Sequence, residues 1–327
     1  MEMGSFIELE YPNSGEYYTQ GPIARLNTGR AAVYHALRAW GVRKVLLPYY
    51  ECATVRDFLV DRQIDVSYYA LNEEFTPVVS DVPEDTAIVL VNYFGIMGVN
   101  RMKRLSAPFA KVIVDNAQAF FAPPLDGCLN IYSARKFVGV PDGAYVLGEH
   151  ADRFVEEYPE DFSSDTADFL LKRLEYGCEG KAYDARMKNE ARLDEAGARS
   201  MSRLTRRLLA GIDYETSKRK RLDNFRTACA LFDQVNRIDP KRYLDNTCVP
   251  MVYPLVVEED GLLERLIKAG HFQGRWWAYL LEERPPESFE YYLSRYGIPV
   301  TIDQRYGPEE LSALAELIKG GRTGLDK

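Results

Sequence analysis

The chain has 327 residues, of which 46% are hydrophobic, and it carries a formal net charge of −8 at pH 7. A chain of this length and composition can bury a sizeable core in about two domains. The acidic balance argues against nucleic acid or an anionic membrane as the main partner, and no apolar run reaches the roughly 18 residues expected of a membrane-spanning helix.

The cysteines and the N-terminal stretch indicate a cytoplasmic protein. The five cysteines are scattered, odd in number and form no CxxC pair, which is typical of free thiols in a reducing compartment. The stretch 1–18 is acidic and aromatic and lacks the basic and apolar regions of a signal peptide. The three histidines lie far apart in the sequence, so no metal site is predicted.

Residues 23–148 alternate between helical and strand patterns. A helix is predicted at 30–41, where apolar residues recur at helical spacing up to Gly41, and a second helix at 54–63. Strands are predicted at 44–50, 65–71, 86–95, 111–119, 128–137 and 143–148. This alternation indicates an α/β domain with a mostly parallel sheet, in which ligands bind beyond the carboxyl ends of the strands.

The second half of the chain has a different character. The segment 150–240 is charged and helical, and we interpret its basic run, 217–221, as a solvated helix face. A strand pattern at 246–257 is followed by helical patterns at 261–270 and 308–321. We predict four parts: an N-terminal arm (1–22), a large α/β domain (23–165), a helical connecting region (166–240) and a small α+β domain (241–327).

Two short segments have residues suited to a phosphate. The turn Thr28-Gly29-Arg30 enters a predicted helix, where unpaired backbone N–H groups and the helix dipole favour an anion. The alternative is an ordinary N-cap made by Thr28. Ser133, three residues before Lys136, could direct its hydroxyl at the same phosphate, although a surface serine beside a basic pair would give the same pattern.

Asp115, Gln118 and Lys136 are the candidates for the chemistry itself. Asp115 closes a buried strand, where a carboxylate needs a cationic partner or several donors, unless it caps the next turn. A protonated pyridine nitrogen is one such partner, and Gln118 could offer its amide to the same ring. Lys136 could form an imine if its amine is desolvated, although the Ser-x-x-Lys spacing alone is weak evidence.

An aromatic side chain after the strand at 44–50 could stack on a flat ligand. Tyr50 is the candidate, and Tyr49 and Tyr93 are alternatives. Packing in the core would equally explain any of the three rings.

Read in order, these segments resemble the DegT/DnrJ/EryC1/StrS sugar aminotransferases. The similar motifs are TGRAA at 28–32, PYYECAT at 48–54, DNAQ at 115–118 and SARK at 133–136, with 21 residues from Asp115 to Lys136. The tail at 298–318, which contains an Asp-Gln-Arg-Tyr run, is also similar to the closing segment of that family. The resemblance covers roughly residues 20–320.

The resemblance implies fold type I of the enzymes that depend on pyridoxal 5′-phosphate (PLP), with a large PLP-binding domain and a smaller C-terminal one. It implies that Lys136 holds PLP as a Schiff base and moves the substrate proton. Asp115 would pair with the ring nitrogen, and Gln118 with the ring oxygen. The backbone amides of Gly29 and Arg30, with the side chains of Thr28 and Ser133, would bind the phosphate.

The function implied is transfer of an amino group, usually from glutamate, to a nucleotide-linked keto-sugar in polysaccharide or secondary-metabolite synthesis. The implied assembly is a homodimer with each active site at the subunit interface. Several features depart from the family pattern: PDGA at 141–144 stands where a Gly-Gly turn is usual, Ser133 is three rather than five residues before the lysine, Arg30 stands where the family has Thr, and the chain is shorter than typical members. They leave open two alternatives, a PLP enzyme acting on an amino acid or other small ketone, and a non-catalytic protein that binds PLP or a sugar nucleotide.

Overall fold

The computed structural model describes Met3 and residues 5–272 and 274–320. Residues 1, 2 and 4 of the predicted arm, and residues 273 and 321–327 of the predicted C-terminal domain, lie outside the described residues. Among the described residues, no helix is both long and apolar enough to cross a membrane.

The main sheet has eight strands. In chain order they are β1 (Ile23–Leu26), β2 (Lys44–Pro48), β3 (Asp65–Leu71), β4 (Pro77–Val78), β5 (Thr86–Val91), β6 (Val112–Asn116), β7 (Leu129–Ser133) and β8 (Ala144–Leu147). Their order across the sheet is β1-β8-β7-β6-β5-β2-β3-β4. The inner strands from β7 to β3 pair in parallel, whereas β1, β8 and β4 pair antiparallel at the two edges. The predicted mostly parallel sheet is therefore confirmed.

Eleven α-helices and a second, two-stranded sheet complete the described part of the chain. The helices are α1 (Gly29–Trp40), α2 (Ala53–Val60), α3 (Val99–Ser106), α4 (Asp168–Tyr176), α5 (Lys181–Ala196), α6 (Arg203–Ala210), α7 (Tyr214–Phe232), α8 (Leu262–Lys268), α9 (Leu280–Glu283), α10 (Phe289–Tyr296) and α11 (Pro308–Gly320). The small sheet pairs β9 (Val252–Val256) with β10 (Gly297–Thr301) in antiparallel fashion. The boundaries of the four predicted parts stay a prediction.

Helix α1 shows why the sequence pattern was informative. Four of its alanines are fully buried, so the helix packs closely on the sheet without bulky side chains between them. It ends at Gly41, whose φ of 66° is the left-handed conformation of a helix C-cap, and the Gly41 N–H donates to the carbonyls of Leu37 and Arg38. The predicted helix is confirmed, one residue earlier at its start.

The central strands β5, β6 and β7 are each shorter than predicted. Every residue of β6 and β7 is buried, as expected of strands covered on both faces. The chain leaves the sheet at polar residues, and a 3-10 turn at Tyr93–Gly95 follows β5 while another at Ala134–Lys136 follows β7. Consequently Asp115 and Ser133 lie at the ends of their strands, whereas Gln118 and Lys136 lie in the turns just beyond them.

Candidate active site

Asp115 and Lys136 lie at the same edge of the main sheet. Asp115 is the fourth residue of β6, and its register partner in the neighbouring parallel strand β7 is Ile131. Lys136 ends the 3-10 turn that follows β7. Because carboxyl ends of parallel strands meet at one edge, the carboxylate and the amine both border the space beyond the sheet.

The environment of Asp115 is that of a buried carboxyl group with one local donor. Asp115 is only 8% exposed. One oxygen, Oδ1, accepts a hydrogen bond of 2.7 Å from the backbone N–H of Ala117. Burial raises the pKa of Asp115, and the positive charge of Lys136 opposes that shift. A cation placed against this carboxyl would therefore be strongly favoured.

Gln118 lies two residues beyond the end of β6 and is buried beside the same space. Its Oε1 accepts a 2.7 Å hydrogen bond from the backbone N–H of Phe94. This bond orients the side chain so that its NH2 group is the end available as a donor, and Gln118 lines the cleft described below.

Backbone hydrogen bonds through Gly143 connect the N-terminal end of α1 to the segment that contains Ser133. The backbone N–H of Gly143 donates to the Asn27 carbonyl at 2.7 Å, and the N–H of Ala134 donates to the Gly143 carbonyl at 3.1 Å. Ser133 is buried, and it pairs with Ala144 across β7 and β8. The two segments predicted to bind phosphate are thus neighbours.

The side chains of the turn at 28–30 have defined partners. Thr28 caps α1, because its hydroxyl accepts from the backbone N–H of Ala31 at 3.2 Å. A Cβ placed on Gly29 would have no atom within 4 Å, so the backbone faces open space there. The Arg30 guanidinium turns away to helix α5, where it contacts Asp194 at 2.8 Å and the Leu193 carbonyl at 2.7 Å.

The PDGA segment is a structural anchor rather than a loose substitute for a glycine pair. Asp142 is fully buried, and its carboxylate accepts hydrogen bonds from the Ser202 backbone N–H and hydroxyl at 2.9 Å each, and from the Thr205 hydroxyl. Gly143 has a φ of 118°, and a Cβ there would lie 2.9 Å from Thr205 Cγ2. The segment is therefore fastened to the start of α6.

Tyr50, the candidate stacking residue, is not among the residues that line the cleft beside Lys136. Its ring is buried edge-on against Trp277, with centroids 4.3 Å apart, and its carbonyl accepts from the Tyr93 hydroxyl at 2.9 Å. Trp276 and Trp277 line the cleft instead, and Trp276 is stacked on Phe94 with centroids 5.5 Å apart. The adjacent tryptophans at 276–277 are visible in the sequence, but they lie outside the motifs on which the family resemblance rests.

A cleft of about 410 Å³ opens beside Lys136. Its lining includes Gln118, the two tryptophans and several charged groups. Among the lining residues the basic ones are Arg135, Lys136, Arg186, Arg221 and Arg305, and the acidic one is Asp303. The excess of positive charge suits an anionic ligand.

Arg221 corrects the interpretation of the basic run 217–221 as a solvated helix face. The residue is 1% exposed, and its guanidinium donates to the carbonyls of Met251 and Phe137 at 3.0 and 3.2 Å and to Gln304 Oε1 at 3.1 Å. Burial lowers the pKa of Arg221 to about 10. The interpretation is wrong for Arg221 because this residue lies on the face of α7 that packs against the protein, where its guanidinium bonds to backbone carbonyls beside the cleft.

No protein-family model matches the sequence, and no curated protein is significantly similar to it. The fold, however, is shared with solved aminotransferases. A DegT DnrJ EryC1 StrS aminotransferase from Brucella abortus superposes with a TM-score of 0.56 at 13% identity, covering 91% of this chain and 85% of that one. The aminotransferase TlmJ from Streptoalloteichus hindustanus gives a TM-score of 0.63 at 13% identity, with 94% and 87% covered.

DesI, whose structure was solved in the presence of its TDP-sugar product, gives a TM-score of 0.59 at 13% identity, with 90% of this chain and 79% of that one covered. These likenesses extend over nearly the whole described chain. The predicted fold class, fold type I of the PLP-dependent transferases, is confirmed.

Proposed function

We propose that this chain is a PLP-dependent aminotransferase that transfers an amino group, with glutamate as the donor, to a keto-sugar linked to a nucleotide. The observation that carries the proposal is the placement of Asp115 and Lys136 at the carboxyl ends of neighbouring parallel strands. The fold shared with solved sugar aminotransferases supports it.

The residues present fit the cofactor. The buried carboxyl of Asp115, whose pKa is raised by burial, is suited to a protonated pyridine nitrogen as its cationic partner. Gln118 has its NH2 end available for the ring oxygen. The start of α1 at Thr28 and Gly29, adjoining Ser133, would hold the phosphate through backbone N–H groups and hydroxyls.

When bound, PLP would act as an electron sink for the carbon that loses a proton. The protein itself would bind and orient the cofactor and the substrate, and would move that proton. Lys136 Nζ, at the mouth of the cleft, is the group that would take the proton from the substrate carbon and return it. Asp115 would keep the ring nitrogen protonated. Trp276 and Trp277, which line the cleft, would limit the access of water to the ring.

The substrate class follows from the charge and composition of the cleft. Arg186 and Arg305 can attract the phosphates of a nucleotide sugar or the carboxylates of glutamate. The tryptophans offer flat apolar faces to a sugar or a base. The structure of DesI with its TDP-sugar product supports a nucleotide-linked acceptor.

A homodimer with the active site at the interface, working in the cytoplasm, is part of the same proposal. The exposed apolar side chains of the α4–α5 hairpin, Leu171, Leu174, Tyr176 and Met187, support an interface near Arg186. All five cysteines are free thiols, which supports a reducing compartment.

The test is a half-reaction followed by a screen of acceptors. Purified protein reconstituted with PLP should develop an absorbance band near the visible edge, which glutamate should convert to the amine form of the cofactor. Keto-sugar nucleotides should then restore the band faster than plain keto acids. Faster turnover of plain keto acids would favour the small-ketone alternative, and a band unaffected by any amino donor would favour the non-catalytic one.

A further inference from the structure

Glu51 is a buried carboxyl group that the proposed function has not used. It follows β2 in the turn before α2, and it is 5% exposed. Both of its side-chain oxygens are buried without an N–H or hydroxyl donor among the described residues, and the group within hydrogen-bonding reach is the carboxyl of Asp115. A buried carboxylate without donors is among the costliest groups in a folded protein, so its proton state has to be explained.

The position of Glu51 in the sheet places it beside Asp115. The order β6-β5-β2 brings the ends of three strands together, and Tyr93, just after β5, donates its hydroxyl to the Tyr50 carbonyl at 2.9 Å. The Glu51 carbonyl is held from the other side by the Tyr279 hydroxyl at 2.7 Å. The backbone of Glu51 is therefore fixed, and its side chain enters the space against Asp115.

The charged and titratable groups around Glu51 come from several elements. They are Cys52 in its own turn, Tyr69 of β3, Tyr93 after β5, Asp115 of β6, Lys136 after β7 and Tyr279 before α9. Only Lys136 among these is a cation. One cation beside two carboxyl groups leaves one of the carboxyls to be neutralised by a proton.

Glu51 is the carboxyl that holds this proton. Burial, followed by the charge of Asp115, raises the pKa of Glu51 well above its usual value. The pKa of Asp115 is also raised, but the charge of Lys136 and the bond from the Ala117 N–H both lower it. Because the Ala117 N–H donates to Asp115 at 2.7 Å and no such donor reaches Glu51, the arrangement favours a neutral Glu51 beside an ionised Asp115.

We propose that Glu51 is a second residue of the ring-nitrogen site, which holds a proton when no ring is present and gives it up when a protonated pyridine nitrogen faces the pair. This inference rests on the proposed function. If the ring arrives with a neutral nitrogen, the proton passes from the Glu51 carboxyl to that nitrogen and none is exchanged with solvent. If the ring arrives protonated, the new cation makes Glu51 ionise and its proton goes to solvent.

In both cases the protein with Glu51 binds the ring with one proton fewer than a variant that cannot ionise at this position. Glu51→Gln has no proton to give, so it takes one from solvent for a neutral ring and releases none for a protonated ring. The expected difference is about one proton per ring bound, whatever the state of the free ring. Over the pH range in which Glu51 is protonated in the free protein and ionised in the complex, the ratio of the two Kd values should change about tenfold per pH unit, and the relative affinity of the wild type should increase as the pH rises.

The experiment is calorimetric titration with pyridoxine 5′-phosphate, which has the ring and the phosphate but no aldehyde to react with Lys136. Titrations in buffers of different ionisation enthalpy count the protons exchanged. Glu290→Gln is the matched control, because Glu290 is equally buried but has the Leu71 N–H at 2.6 Å and Arg284 at 3.5 Å as partners. It should exchange the same number of protons as the wild type. Glu51→Met is a second uncharged variant and should match Glu51→Gln, with thermal unfolding checking that each variant is folded.

The outcomes separate the two proposals. Binding of the ring by all variants with the same proton count would overturn the role of Glu51 and leave the proposed function standing. Failure of the folded wild type to bind pyridoxine 5′-phosphate or PLP would instead overturn the proposed function. A purely structural role for Glu51 would change stability in Glu51→Gln without changing the proton count.

Discussion

The charge of Lys136 acts on the buried carboxyl of Asp115 from the end of the neighbouring strand. Burial alone raises the pKa of Asp115, and Lys136 is the strongest influence that lowers it. The two residues are 21 positions apart in the chain, yet they end adjacent parallel strands. This relationship gives the site an amine that lines the cleft and a buried carboxyl group within reach of its charge, which is the minimum that PLP chemistry needs.

Asp115→Asn should reduce kcat on the order of 10²–10³-fold while still allowing PLP to bind, because an amide cannot hold the ring nitrogen in its protonated form. Steady-state kinetics on the reconstituted protein measure this. Asp126→Asn, at an exposed site before β7, is the control and should keep wild-type kcat. Equal kcat values for the two variants would contradict the assigned role of Asp115.

Asp142→Ala should lower the free energy of unfolding by about 2–4 kcal/mol. The change leaves the buried donors of Ser202 and Thr205 without their acceptor and loosens the start of α6. Asp213→Ala removes a single exposed N-cap bond, from the Thr216 N–H at 2.9 Å, and should cost less stability than Asp142→Ala. Urea unfolding of both variants tests the ranking, which would be wrong if Asp213→Ala were the more destabilising.

His35 should make stability depend on pH. Its Nε2–H donates to the Ala151 carbonyl at 2.7 Å and its Nδ1 accepts from the Tyr158 hydroxyl at 3.2 Å, so the buried ring is neutral. Burial lowers the pKa of His35 below its usual 6.5. The folded state therefore binds fewer protons than the unfolded state below that pH, and stability falls as the pH drops, by up to about 1.4 kcal/mol per pH unit.

His35→Gln keeps an amide donor for Ala151 but does not titrate. Unfolding free energies measured between about pH 5 and 7.5 should show a shallower slope for His35→Gln than for the wild type. Identical slopes would mean that the ring of His35 is not held neutral in the folded protein.

Arg221→Lys should lower the free energy of unfolding by about 1–3 kcal/mol, because one ammonium group cannot reach three acceptors that the guanidinium reaches together. Arg219→Lys is the control on the same helix, where the side chain is exposed and donates to Thr216. Thermal unfolding should show a lower Tm for Arg221→Lys only. A similar Tm for both variants would mean that the three bonds of Arg221 contribute little.

The parts of the fold and site that could be predicted from the sequence are those set by local patterns. Strand β5 is an apolar run after Thr86, and β6 begins with three apolar residues before Asp115, so the end of that apolar run places Asp115 and, two residues beyond the strand, Gln118. Strand β7 has Asn130 between apolar residues, and Lys136 follows it in the next turn. Helix α1 has both its apolar spacing and its terminal glycine. The short edge strand β1 contains Arg25 and strand β10 contains Pro299, so neither shows an apolar strand pattern of its own.

The rest depends on contacts between distant segments. Arg221 lies in a run of basic residues, and only its contacts with Phe137, Met251 and Gln304 make it a buried residue. Tyr50 is covered by Trp277, more than 200 positions away in the chain, so the sequence could not show that the tryptophans would line the cleft in its place. The burial of Glu51 also depends on distant segments, since nothing in the local sequence indicates that a glutamate in this turn is buried against Asp115.

The most direct test of the central claim is reductive trapping of PLP followed by peptide mass mapping. Borohydride treatment of the PLP-loaded wild type should leave a phosphopyridoxyl group on the peptide that contains Lys136, and Lys136→Ala should carry none there. The group should appear in one copy per chain. Modification of the wild type at another lysine such as Lys218, with Lys136 unmodified, would contradict the account.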